Sequence, residues 1–286
     1  MRALVLSGGG ARIHYHVGAV CWLLGHRRVQ YDLFAGVSAG AIVAAYLAQF
    51  PTGSEEEAAK TLLSVISRVH AIYEPWPVFG ALEGLWQSSF FRSKPLRRVL
   101  QADLSESAIR KSGKLLRISA VDLRSGDVVV FTEQSSGLVS AVEGSAAFPG
   151  MLEPVPRGRQ LLVDGGVRQQ TPIGAAIEAG ADEIDVVLTV PETPEALSTR
   201  ERPSALRVMY RAADLMADQV MASDVKIAQL TNRLVLANES KKRFVVLNII
   251  RPAQALPLST FDFKSTGAPT QALGMQDARR VRPEVK

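Results

Sequence analysis

The stretch YDLFAGVSAGAIVAAYLAQF, residues 31–50, passes from a short apolar run through a small-residue turn into a second apolar run of helical length. Tyr31 to Ala35 has the length and bulk of a buried strand, whereas Ala39 to Gln49 is too long for one and rich in alanine, the best helix former. Between them Gly36-Val37-Ser38-Ala39-Gly40 matches G-x-S-x-G in the strand-to-helix setting where that pattern carries chemistry. A turn tight enough to lift a serine hydroxyl off a strand end crowds the positions two before and two after it, so Gly36 and Gly40 are the residues that fit. The helix that follows aims unpaired N–H groups at Ser38, and these favour an anion formed there. A glycine-rich turn with Ser38 as a plain helix cap satisfies the same five letters.

Working outward, short apolar runs alternate with helical patterns, the mark of a mostly parallel sheet covered by helices on both faces. Further strands are expected near Ala3–Leu6, Leu115–Val121, Val128–Thr132, Leu161–Val163, Ile184–Val190 and Phe244–Ile250, the run at 128–132 returning antiparallel through the polar turn Asp122–Asp127. Helices are expected at His16–Leu24, Glu55–Ala71, Pro172–Ala179 and, longest, from Ser204 to about Ala237. Beyond Pro252 the composition turns to Pro, Ser, Thr and Gly. The expected division is therefore one α/β domain over 1–251 and an extended tail over 252–286, packed on the domain or trailing from it.

Two more motifs stand at expected strand ends. Ser7-Gly8-Gly9-Gly10-Ala11-Arg12 follows the first strand and can turn several N–H groups toward one anion. A nucleotide site is disfavoured, because Ile13 stands where a dinucleotide loop has its third glycine and no Gly-Lys-Ser/Thr follows. An oxyanion hole for a reaction at Ser38 is the alternative. The second motif, LLVDGG, ends a strand in Asp164 followed by Gly165 and Gly166. The usual Ser, Asp, His order of an α/β hydrolase is excluded, since the four histidines are His14, His16, His26 and His70 and none follows residue 70. His14 and His16 flank the glycine loop and remain candidates for the base. Asp164 is the other, provided a dry pocket raises its basicity above the ordinary carboxylate value of about 3.9.

Together GGGAR, GVSAG and DGG, in this order and spacing, resemble the patatin-like phospholipase family, and the segments GSAAFPGMLEPV and TPIGAAIEAGAD are similar to its usual flanks. The resemblance implies a three-layer α/β/α fold and a dyad of Ser38 as nucleophile and Asp164 as base. It also implies an oxyanion hole from Gly8, Gly9 and Gly10 with Arg12 at its edge, and hydrolysis of acyl esters in phospholipids or related lipids without metal or cofactor. Pro149 sits where the family has a proline; Ile13 and His14 depart from it, standing where the family has glycine and a small residue. A soluble esterase, an acyltransferase with the same dyad, or an inactive lipid-binding member are the alternatives.

The chain of 286 residues carries a formal charge of +5 and one cysteine, Cys21. It has no internal disulfide and lacks the clustered Cys and His of a zinc site. No apolar run has the length of a membrane span, and the first residues, MRALVLSGGG, are too short for a signal-peptide core, so a cytoplasmic location is expected, with peripheral contact to a membrane. Basic groups at Arg92, Lys94, Arg97 and Arg98, at Lys241, Lys242 and Arg243, and at Arg279, Arg280 and Arg282 come with no base-reading motif, so no nucleic-acid partner is expected. Tyr73, Trp76, Phe79, Trp86, Phe90 and Phe91 crowd one segment, which with the cations after it makes 73–98 the expected lipid contact, or a packed loop over the sheet. Head-group preference and oligomeric state are not encoded in any motif.

Overall fold

The computed structural model describes residues 1–67, 74–75, 89, 91–193, 205–257 and 267–281. Eight strands form the main sheet among them: β1 (Arg2–Leu6), β2 (Leu33–Val37), β3 (Leu115–Asp122), β4 (Val128–Thr132), β5 (Val155–Arg157), β6 (Gln160–Asp164), β7 (Glu183–Val187) and β8 (Val246–Ile250). Their order is β8-β7-β1-β2-β3-β6-β5, with β4 also on β3. The first five of that order are parallel. The hairpin β3–β4 pairs antiparallel from Val121 with Val128 to Arg117 with Thr132, as its polar turn requires.

Alternation along β1 divides the core. Leu4 and Leu6 enter one layer with α1 (Ile13–Val20), α2 (Ala39–Leu47), α3 (Glu55–Ser67) and α6 (Leu138–Ser145). Ala3 and Val5 enter the other with α7 (Ile173–Glu178) and α8 (Ala205–Leu236). Being buried on both faces, the strand reads as an unbroken apolar run, as central parallel strands do. The protein is thus a three-layer α/β/α sandwich. No described helix is long and apolar enough to cross a membrane.

Several elements depart from expectation. The helix expected at His16–Leu24 starts earlier, at Ile13, directly out of a 3₁₀ turn at Gly10–Arg12, and continues as a π-helical turn over Cys21–His26. The short β5 and the helices α4 (Lys94–Asp103), α5 (Glu106–Lys111) and α6 were not expected; Pro156 in β5 and Gly137 and Gly144 in and before α6 mask their patterns. The tail beyond Pro252 is not simply extended, because Ala268–Arg280 forms helix α9. Tertiary contact overrides its weak propensity. A Cβ on Gly18 would collide with the Gln271 carbonyl and one on Gly274 with the Tyr15 carbonyl, so α1 and α9 cross backbone to backbone. The Tyr15 hydroxyl donates to Asp277 Oδ2 at 3.0 Å across the same contact. Most of the aromatic segment at 73–91, on which the expected lipid contact falls, lies outside the described residues. Of the cations after it, Arg97 donates from Nε to both oxygens of the buried Glu143, at 3.0 and 2.9 Å.

Gly274→Val is therefore expected to prise α9 from α1 and lower unfolding stability by about 1–3 kcal/mol in urea titrations. Gly174→Ala on α7, where a Cβ meets open space, should leave stability unchanged or raise it by up to about 1 kcal/mol.

Candidate active site

The site is built where two strands meet end to end. β2 runs along one edge of β3 as far as Val37 opposite Ser119. β6 arrives from the opposite direction and ends with Asp164 opposite Ala120. Because β4 occupies the other edge over residues 117–121, β2 and β6 share this one, and adjacent register positions bring Ser38 beside Asp164. The Asp164 carboxylate accepts, at Oδ1, the Gly166 N–H at 2.8 Å, and the Ser38 hydroxyl is near enough to act on its pKa. Asp164 is only 2 % exposed. Burial pushes its pKa up to about 6, and the nearby Ser38 hydroxyl and the Gly166 N–H hold it from rising further.

Ser38 sits at the N-terminus of α2 with φ 55° and ψ −124°, a left-handed conformation that a serine rarely adopts. The flanking glycines are required by close approach, since a Cβ on Gly36 would strike the Gly40 carbonyl and one on Gly40 the carbonyls of Leu6 and Ser7. Ser145 secures the turn: its hydroxyl accepts the Ser38 N–H at 3.0 Å and donates to the Ser119 carbonyl at 2.6 Å. Gly165 passes so near that Ser119 carbonyl that no side chain fits, and a Cβ on Gly166 would press on the end of the Gln170 side chain.

The glycine loop lies at the end of β1, next to β2, where parallel sheets place ligands. Its three glycines differ in role. The Gly8 N–H donates to the Gln170 carbonyl at 3.0 Å, so Gly8 is not a free oxyanion donor as expected. The N–H groups of Gly9 and Gly10 donate to no group among the described residues, and Gly10 has the positive φ, 54°, that turns the chain into α1. Arg12 also differs: its N–H donates to the Gly9 carbonyl, and its guanidinium stands 3.7 Å from Asp214 of α8. The oxyanion expectation therefore narrows to Gly9 and Gly10, with Arg12 tying the loop to α8.

Ser38, Asp164, Gly8, Gly9, Gly10 and Arg12 all line one cleft that opens to solvent. Sequence reasoning missed the rest of its wall. Ala146 and Phe148 follow α6, Gln170 and Thr189 pack against the glycine loop, and α8 supplies Asp214, Ala217, Asp218 and Met221. Burial raises the pKa of Asp218, with Arg12 opposing that shift, and burial pushes the pKa of Asp224, which accepts the Thr171 N–H at 2.8 Å, up to about 6. Only GSAAFPG, noted as a flank, took in any of these residues, Ala146 and Phe148.

Neither histidine near the loop reaches Ser38. His16 is wholly buried, and burial brings its pKa down to about 3; the Val187 carbonyl opposes that shift, but no group among the described residues comes within hydrogen-bonding geometry of its ring. The His14 ring packs against Gly267 before α9. Ile13 enters the core. The two departures at positions 13 and 14 therefore place no bulk in the cleft.

A model of the patatin-like phospholipase family matches residues 4–177. A patatin-like phospholipase domain-containing protein of Aspergillus niger is 32% identical over 170 residues, covering 54% of this chain and 21% of its own length. An uncharacterized NTE family protein of Mycobacterium tuberculosis is 29% identical over 170 residues, covering 59% of this chain and 27% of its own length. Among solved structures, VipD from Legionella pneumophila aligns over 99% of this chain and 67% of its own, with 11% identity and a TM-score of 0.47. The matches thus span roughly a quarter or less of those curated relatives. Since the family model takes in more than half of the chain, including the glycine loop, the serine turn and the Asp-Gly-Gly strand end, the chain belongs to the patatin-like phospholipase family.

Proposed function

We propose that this protein is a lipid acyl hydrolase of phospholipase A type, in which Ser38 is the nucleophile and Asp164 the base. One observation carries the reading: a serine held in a strained turn shares one cleft with a buried carboxylate at the adjoining strand end, whose pKa burial raises to about 6. Such a carboxylate is ionised at neutral pH yet more basic than one in water, which suits proton transfer near working pH.

Ser38 Oγ attacks the ester carbonyl carbon while its proton passes to Asp164. The carbonyl oxygen becomes an oxyanion, held by the N–H groups of Gly9 and Gly10 and by the positive end of α2. As the carbon–oxygen bond to the leaving alcohol breaks, Asp164 returns the proton to that alcohol. Water then attacks the acyl-serine, giving its proton to Asp164. The second collapse releases the fatty acid and restores the Ser38 hydroxyl. Ala146, Phe148, Val190 and Met221 give the acyl chain an apolar wall.

Ser38→Ala should abolish release of fatty acid from mixed bilayer lipids, read by mass spectrometry, and Asp164→Asn should lower kcat by roughly 10²–10⁴ with KM little changed. In the wild type, kcat/KM should fall on the acid side with an apparent pKa near 6. An Asp164→Asn variant with wild-type turnover would remove the dyad.

The same carboxylate sets a stability difference. Its folded pKa lies above the unfolded value of about 3.9, so it favours folding below that value, and this contribution is lost as pH rises through about 6. Asp164→Asn should therefore be more stable than wild type at pH 8, by up to about 3 kcal/mol at 1.36 kcal/mol per pH unit, and nearly equal to it at pH 4, as urea titrations at both pH values would show.

A further inference from the structure

Helix α8 has two faces. Its inner face carries the buried Met221, Val225 and Ala228 and forms one wall of the cleft. Its outer face carries Met209 (65% exposed), Met216 (69%) and Ile227 (64%), with Leu230 and Leu234 more than two-fifths exposed. At 100° per residue Met209, Met216, Ile227 and Leu234 fall on nearly one line, opposite the buried set, and Leu230 falls beside it. The stripe extends about 38 Å at 1.5 Å per residue. Charge is divided just as sharply. The helix has three acids, and all turn inward: Asp214 toward Arg12, Asp218 into the cleft, Asp224 to the Thr171 N–H. The exposed cations Lys226 and Arg233 lie along the stripe's flank.

From this arrangement we infer that the outer face of α8 is the surface by which the protein docks on an anionic lipid bilayer. An apolar line flanked by cations and free of acids matches the interface of a bilayer with negative head groups, where apolar side chains enter the acyl boundary and cations meet phosphates. A second copy of the chain fits it less well. Isologous pairing along the stripe sets Lys226 and Arg233 near their counterparts with no acid on either face to meet them. The unbranched thioethers of Met209 and Met216 adapt to an irregular surface. Docking here holds the cleft one helix diameter, about 10 Å, from the lipid. The inference rests on the proposed lipid hydrolysis for its purpose only, since docking needs neither Ser38 nor Asp164.

The test is flotation of the full chain with phosphatidylcholine vesicles prepared with and without phosphatidylglycerol, together with hydrolysis of a water-soluble acyl ester. Wild type should float with the anionic vesicles and much less with the neutral ones. The triple variant Met209→Gln, Met216→Gln, Ile227→Gln should lose at least about tenfold in vesicle affinity. Lys226→Gln with Arg233→Gln should lose about thirtyfold on anionic vesicles at roughly 1 kcal/mol for each cation. Both variants should keep wild-type melting curves and wild-type turnover of the soluble ester. Wild type that does not float, a triple variant that floats as wild type does, or a wild-type dimer that the triple variant dissociates without change in flotation would overturn the inference. If no protein hydrolyses the ester while flotation follows the expected order, the proposed hydrolysis fails and the docking surface stands.

Discussion

At Ser119 and Ala120, one edge of β3 changes neighbours, and the site depends on that exchange. β2 ends against Ser119 and β6, running the other way, ends against Ala120. Two residues 126 positions apart in the chain, Ser38 and Asp164, become neighbours because their strands abut on a third. The Ser119 carbonyl marks the junction. It receives the Ser145 hydroxyl, which itself holds the Ser38 N–H, and it leaves room beside it only for Gly165. The serine turn, the end of α6 and the Asp-Gly-Gly turn are thereby fixed to one peptide group.

The surrounding fold offsets what this junction costs. A serine at positive φ is unfavourable by about 1–3 kcal/mol, and a carboxylate held dry resists ionisation. The amides of Gly9 and Gly10 add donors without a partner among the described residues. Against these stand two cores on either side of the central strands and the docking of α9 on α1, the helix that leaves the glycine loop. Rigid surroundings let such strained and unpaired groups persist.

The parts of this site that are local were legible in the chain. G-x-S-x-G between a strand and a helix, a glycine run after β1 and Asp-Gly-Gly at a strand end each express a constraint within a few residues. The absence of histidine after residue 70 excluded the ordinary triad order. The sandwich followed from the alternation of apolar runs. What remained hidden was tertiary. That Gly8 spends its N–H on Gln170, that Arg12 meets Asp214, and that His14 turns to Gly267 depend on elements distant in sequence. The helix at 268–280 was hidden by its own Pro269 and Gly274, and Gly274 is the residue that lets it approach α1.

Pairing of Ser38 with Asp164 is tested most directly by the rate and position of covalent labelling with a fluorophosphonate, followed by intact-protein and peptide mass spectrometry. If the two act together, one phosphonyl group adds per chain, on Ser38, and adds at least about a hundredfold more slowly in Asp164→Asn. Labelling at another residue, or at an equal rate in the two proteins, would contradict it.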